Sequence, residues 1–142
     1  MLTKAAKYAI RATTYLAVNS ESENKVNVKN IAKDIEVPLP FLAKILQQLT
    51  KAKLISSSKG PNGGFYLSDE NKSKTIWDII CCIDGEEKFN ECFLGLPDCS
   101  NENPCAVHSL VVSFRNKMMK EFRDKDISKV ADIIEGNRMF KL

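Results

Sequence analysis

The segment Lys59-Gly60-Pro61-Asn62-Gly63-Gly64 constrains this chain more than any other. It stands between two short runs, Leu54-Ile55-Ser56-Ser57-Ser58 and Phe65-Tyr66-Leu67. Glycine and asparagine tolerate positive φ, and proline cannot extend a helix. The pattern therefore predicts a β-hairpin whose loop is longer than the minimal two residues. A hairpin at this point must pack against whatever precedes it, and what precedes it reads as helix.

Thr3 to Val18 carries Ala5, Ala6, Ala9, Ile10, Ala12, Leu16 and Ala17 with no Gly or Pro, which predicts a helix buried on much of its surface. The polar stretch from Asn19 to Lys25 reads as a loop. Val28, Ile31, Ala32 and Ile35 then fall at i, i+3, i+4 and i+7, with Asn27 placed to cap the start. Pro38 and Pro40 break the pattern, and Pro40 suits the first turn of a further helix running to about Ala52. Leu42, Ile45, Leu46 and Leu49 form its apolar stripe, and Lys44, Gln47, Gln48 and Lys51 occupy the other side.

Beyond the hairpin, Thr75-Ile76-Trp77-Asp78 resembles a capping box opening a helix with Ile76, Ile79, Ile80 and Ile83 on one face, ended by Asp84-Gly85. Residues 86–105 show few periodic apolar positions, and the stretches between Cys92, Cys99 and Cys105 read as loop. A longer helix is expected from about Pro104, with a stripe of Val107, Leu110, Val111, Phe114, Met118 and Phe122. A last short helix is expected over Ile127 to Ile134. The fold class is thus mostly α with a small hairpin. At 142 residues the chain is long enough to bury a core without disulfides.

No apolar run approaches the roughly 18 residues that cross a bilayer, and no apolar signal region follows Met1. The reading is a cytoplasmic protein whose five cysteines are reduced thiols or metal ligands.

Charge is uneven along the chain. Residues 1–60 carry a net +6, residues 61–105 a net −6 and the remainder a net +3. A basic N-terminal part can face a polyanion. Helix, helix, helix, hairpin is also the order of a winged helix-turn-helix, in which the second helix of the pair enters the major groove of DNA. The candidate DNA contacts are Pro40, Lys44, Gln47, Gln48 and Lys51 on that helix and Lys59, Asn62 and Gly63 on the wing. Glutamine can bond adenine edges, lysine can reach guanine or phosphate, and glycine lets a backbone approach closely. Singly, each is what a solvated face or an ordinary turn would show; the order and the charge together favour DNA.

Cys92, Cys99, Cys105 and His108 are spaced C-x6-C-x5-C-x2-H across a Pro- and Gly-containing segment. Three soft thiolates favour an iron–sulfur cluster, zinc or copper(I). The wide spacing disfavours a zinc knuckle, whose cysteines come in close pairs. A metal-free thiol switch is the other reading of the same residues. Cys81 and Cys82 sit in the isoleucine-rich helix and read as small buried hydrophobes. With no Gly-rich nucleotide loop and a single histidine, an enzyme is disfavoured.

Taken together, Lys7-Tyr8-Ala9-Ile10-Arg11, the hairpin from Lys59 to Leu67, Ile79-Ile80 before Asp84-Gly85, and the segment Cys92 to His108 resemble the Rrf-two family of bacterial winged-helix regulators. The resemblance covers most of the chain. It implies a winged helix-turn-helix over residues 1–70 and a helical dimerisation region over 71–142 with a cysteine loop at 92–105. It also implies a homodimer bridged by the long C-terminal helix, a pseudo-palindromic operator in double-stranded DNA, and repression as the usual outcome. By resemblance Cys92, Cys99 and Cys105 hold an iron–sulfur cluster, of two-iron or four-iron type, and His108 matches a fourth ligand. In one branch of the family an N-terminal Asp of the other subunit fills that role, but Lys7 stands at the matching position here. Ala43 and Lys44 replace a Glu and a Gln of the family's recognition helix, so the operator sequence does not carry over. The stripe from Val107 to Phe122 points independently to a two-fold partner.

Overall fold

The computed structural model describes residues 1–137. Ten elements follow in order: α1 (Lys4–Asn19), α2 (Val28–Asp34), α3 (Leu39–Lys51), β1 (Ser56–Ser58), β2 (Gly64–Tyr66), α4 (Asp69–Lys72), α5 (Ile76–Ile83), α6 (Glu86–Asn90), α7 (His108–Asp124) and α8 (Ile127–Gly136).

Helix α1 lies at the centre. Ala6, Ala9, Ala12, Thr13, Thr14, Leu16 and Ala17 are buried, and α3, α5 and α8 all pack on it. Small side chains let three neighbours approach one helix closely. The buried threonines would cost stability unpaired, but Thr13 Oγ1 donates to the Ala9 carbonyl at 2.9 Å and Thr14 Oγ1 to the Ile10 carbonyl at 2.8 Å. Thr3 caps the start, accepting from the Ala6 N–H at 3.2 Å. Its own N–H donates to Asp84 Oδ2 at 2.9 Å, joining the start of α1 to the end of α5.

Asn27 caps α2 as expected, accepting from the Asn30 N–H at 2.9 Å. Helix α3 has Pro40 in its first turn and buries Leu42, Ile45, Leu46 and Leu49. Each of these contributes roughly 1.5–3 kcal/mol by burial. The wing pairs Ser56 with Tyr66, Ser57 with Phe65 and Ser58 with Gly64. Val26 adds a single bridge to its outer edge: its N–H donates to the Phe65 carbonyl at 2.9 Å, and its carbonyl accepts from the Phe65 N–H at 2.8 Å. Asn71 of α4 fixes the base of the wing. It is buried, accepts from Ser56 Oγ at 2.7 Å and donates to the Lys53 carbonyl at 2.9 Å.

The Thr75–Asp78 capping box forms, with both reciprocal bonds present. Two short helices were not expected. Helix α4 has too few residues to show a period. Helix α6 lies in the stretch with few periodic apolar positions and carries one apolar residue, Phe89, which is fully buried. Phe89 meets Trp77 edge-on at 5.1 Å and Phe122 at 6.4 Å, so it joins α5, α6 and α7. Arg123 of α7 stacks on Trp77 at 4.8 Å and pairs with Glu86 at 2.8 Å. The long helix begins at His108 rather than near Pro104, because the chain first turns back, with the His108 N–H bonded to the Cys105 carbonyl at 3.0 Å. The last helix extends two residues beyond Ile134. It is tied back through the Ile127 N–H, which donates to the Lys74 carbonyl at 2.8 Å.

The junction of wing and Val26 has no room to spare. A Cβ on Gly64 would lie 2.7 Å from the Val26 carbonyl oxygen and 2.9 Å from its carbon. Both are backbone atoms held in the bridge. Gly64→Ala is expected to destabilise the protein by about 1–3 kcal/mol, measured by urea unfolding, from strain at a fixed backbone position.

Candidate metal-thiolate centre and nucleic-acid face

The cysteine loop runs from the end of α6 to the start of α7. Its first ligand candidate, Cys92, lies two residues beyond Asn90, and His108 is the first residue of α7. Gly95 turns the chain at φ +73°, and Ser100 Oγ accepts from the N–H groups of Glu102 and Asn103 at 3.3 and 3.1 Å. These turns bring the three cysteines together. Their Sγ atoms lie within 4.8 Å of one another, with Cys92 and Cys105 at 3.8 Å.

Local hydrogen bonds make the three thiols unequal. The N–H of Leu96 above all, with that of Leu94 and the thiols of Cys99 and Cys105, favours the Cys92 thiolate against some burial and brings its pKa down to about 7. The Cys105 N–H, 3.4 Å from Cys99 Sγ, favours the Cys99 thiolate. Burial and the two neighbouring sulfurs outweigh it and raise that pKa. Cys81 and Cys82 are half-buried on α5, and burial pushes both thiols up. Cys82 Sγ lies 3.8 Å from the Gln48 carbonyl of α3.

His108 faces the same group. Its Nδ1 is 3.1 Å from Cys99 Sγ, and its Nε2 is 2.9 Å from Asn101 Oδ1. An amide oxygen only accepts, so this contact suits the tautomer protonated at Nε2, in which the Nδ1 lone pair faces Cys99 Sγ. This is the way a ligating histidine is oriented by an outer partner. Asn101 gave no signal in the sequence. Arg115 was also missed, although it lies seven residues after His108 and so on the same side of α7. It donates from Nη1 to the carbonyls of Asn90 (2.9 Å) and Glu91 (3.3 Å), just before Cys92. It lines one small cavity with Cys92, Cys99, Cys105 and His108.

The donor set fits a soft metal or a cluster. Thiolates sharing one tetrahedral ion at ~2.3 Å stand about 3.8 Å apart, the separation of Cys92 and Cys105, with all three sulfurs within 4.8 Å. The group within mutual reach is the three sulfurs, and His108 Nδ1 stands against one of them, that of Cys99.

The DNA candidates fall into two groups. Lys44, Gln47, Gln48 and Lys51 are exposed along α3, opposite its buried stripe, and Pro40 is exposed in its first turn. Lys59 and Asn62 are exposed at the tip of the wing. The Gly63 N–H closes the tip turn onto the Gly60 carbonyl at 2.9 Å, with Gly60 at φ +102°.

The sequence profile of the Rrf2 (Rrf-two) family, described as an iron-dependent transcriptional regulator, matches residues 2–133. The chain belongs to the Rrf2 family. It is 37% identical over 131 residues to a protein of Aquifex aeolicus (strain VF5) named as an HTH-type transcriptional regulator, covering 91% of this chain and 90% of that one. It is 30% identical over 109 residues to the HTH-type transcriptional regulator IscR of Vibrio campbellii, covering 77% of this chain and 64% of the relative. Among solved structures, CymR, the global cysteine regulator of B. subtilis, superposes with a TM-score of 0.73 at 20% identity, over 94% and 97% of the two chains. IscR of T. potens gives 0.69 at 20% identity, over 100% and 92%. These likenesses bear out the winged-helix fold. The Rrf2 protein described here is a transcription regulator, as its family and relatives are, and not an enzyme. Among the described residues no helix is long and apolar enough to cross a membrane.

The unequal thiols give a pH signature. In metal-free protein, Cys92 is expected to alkylate with half-maximal rate near pH 7. The raised pKa of Cys99 shifts its reaction to higher pH. Iodoacetamide labelling followed by peptide mass spectrometry from pH 6 to 9 measures both.

Proposed function

We propose that this Rrf2 protein is a cytoplasmic homodimeric repressor whose affinity for a pseudo-palindromic operator follows the state of an iron–sulfur cluster on Cys92, Cys99 and Cys105. His108 is the fourth ligand. The convergence of three sulfurs, with the His108 Nδ1 at 3.1 Å from that of Cys99, carries the reading. Two relatives named IscR, one by sequence and one by fold, lend it weight. When bound, the cluster supplies redox and nitric-oxide sensitivity. The residues of the chain supply the coupling. Loop 92–105 leads from α6, through Phe89 and Trp77 to α5, and ends on α7. A change of loop order therefore alters elements on both sides. A coupling of about 1–3 kcal/mol is sufficient for a switch.

Two-fold assembly is supported by α7. It buries no residue, and Leu110 and Phe114 are 73% and 59% exposed. An amphipathic helix with its apolar side in water is covered most simply by its own copy. In this reading each protomer brings one α3 and one wing to successive half-sites, with Lys44, Gln47, Gln48 and Lys51 toward the major groove and Lys59, Asn62 and Gly63 at the backbone.

Protein purified without oxygen tests the cofactor. Absorption between about 320 and 460 nm with matched iron and sulfide supports the cluster. Cys92→Ala is expected to lose both and to lose signal-responsive operator binding. Equimolar zinc without visible bands supports a zinc-stabilised regulator instead.

A second reading has its own observation. Cys92 and Cys105 Sγ are 3.8 Å apart, and Cys92 has the lowered pKa that suits attack on a hydroperoxide. The thiolate would displace alcohol or water to give a sulfenic acid, and Cys105 would then displace water to form a disulfide. An oxidised form is known for the structurally similar CymR of Staphylococcus aureus. Metal-free protein with a peroxide-dependent Cys92–Cys105 bridge, found by mass spectrometry, would favour it.

The dimer has a separate check. Leu110→Glu is expected to yield monomers in sedimentation velocity and to cut operator affinity at least tenfold, while the far-ultraviolet circular dichroism stays unchanged.

A further inference from the structure

The first turn of α3 offers DNA no hydrogen-bonding side chain. Pro38, Leu39, Pro40 and Phe41 are all exposed, Leu39 by 38% and Phe41 by 50%. Leu42 is buried and Ala43 half-buried, so Lys44 is the first exposed polar side chain on the helix. The turn is stiff. Pro38 and Pro40 fix two of its φ angles. Tyr8 of α1 packs edge-on against the Phe41 ring, with centroids 6.0 Å apart and planes at 87°. The ring is therefore braced from behind with half its surface in solvent.

Position gives this apolar turn a partner. In a helix-turn-helix the N-terminal residues of the second helix meet the base edges. In the major groove, G, C and A present hydrogen-bonding groups, and thymine adds a C5-methyl. Side chains without polar atoms discriminate there through that methyl. The basic and amide side chains one turn further on, Lys44, Gln47 and Gln48, continue the same surface toward phosphates and polar edges.

We propose that Leu39 and Phe41 are specificity-determining residues that read thymine methyl groups in each operator half-site, with the Pro40 ring packed beside them. The inference rests on the reading of α3 as the recognition helix.

The test uses the full-length protein and duplexes that it selects from a random library. Each thymine of the selected half-site is replaced singly by deoxyuridine, which removes the methyl and leaves every hydrogen-bonding group. Burying one such group is worth about 0.8 kcal/mol, which is roughly a fourfold change in affinity. The expected result is a loss of about fourfold at one or two thymines per half-site. Phe41→Ala is expected to bind thymine and deoxyuridine duplexes equally at its own position, and Leu39→Ala likewise. Both variants should keep wild-type affinity for a scrambled duplex. Deoxyuridine without effect on the wild-type protein would overturn the inference while leaving α3 as the recognition helix. So would Phe41→Ala changing the oligomeric state with methyl discrimination intact, which would make the patch a protein interface. Failure to enrich any sequence would remove the recognition-helix reading itself, and the inference with it.

Discussion

The structure depends on how closely other helices approach α1. Alanines at 6, 9, 12 and 17 leave a narrow, smooth cylinder, and α3, α5 and α8 are laid against it. Close approach multiplies weak dispersion contacts, and the two buried threonines satisfy themselves against their own helix. A larger residue at Ala9 or Ala12, both fully buried, would displace α3 and α5 together. The tilt of α3 and the position of α5 are thus set by the same few methyl groups.

The cysteine loop is built on the opposite principle. Phe93, Leu94 and Leu96 are more than half exposed, so no core holds residues 92–105. What fixes them is a handful of directional contacts: backbone N–H groups on Cys92, Asn101 on His108, and Arg115 on the last carbonyls of α6. Such a segment has little stability of its own, and a ligand held by its sulfurs would add to it. Its two ends, by contrast, are anchored. Phe89 is locked between Trp77 and Phe122 on one side, and α7 continues for seventeen residues on the other.

Much of this was legible in the residues, for identifiable reasons. The stripe of α3, the Asn27 and Thr75 caps and the Gly-rich hairpin are local patterns whose physics acts within a few positions, and each is present. Helices α4 and α6 were not visible. At four and five residues they complete little more than one turn, and tertiary contacts at Asn71 and Phe89 hold them rather than any period. At the thiolate centre the ligand candidates could be read because Cys and His are chemically conspicuous. Asn101 and Arg115 could not, since an amide in a loop and an arginine on a helix acquire meaning only when the chain closes. The helix start near Pro104 was misplaced by the turn at Cys105, which the apolar stripe does not encode.

The bond between Thr3 and Asp84 has a further consequence. It ties the first turn of the chain to the last turn of α5, while Ile127 ties α8 to the strand-like segment before α5. The winged-helix part and the part carrying the cysteine loop therefore share one framework instead of meeting across a hinge. Proteins assembled from separable modules can diversify by exchanging whole parts. A chain knitted in this way is open to change differently: substitutions within residues 92–105 or on the exposed side of α3 leave the packing of the shared framework in place. Both are surfaces on which the common core does not depend.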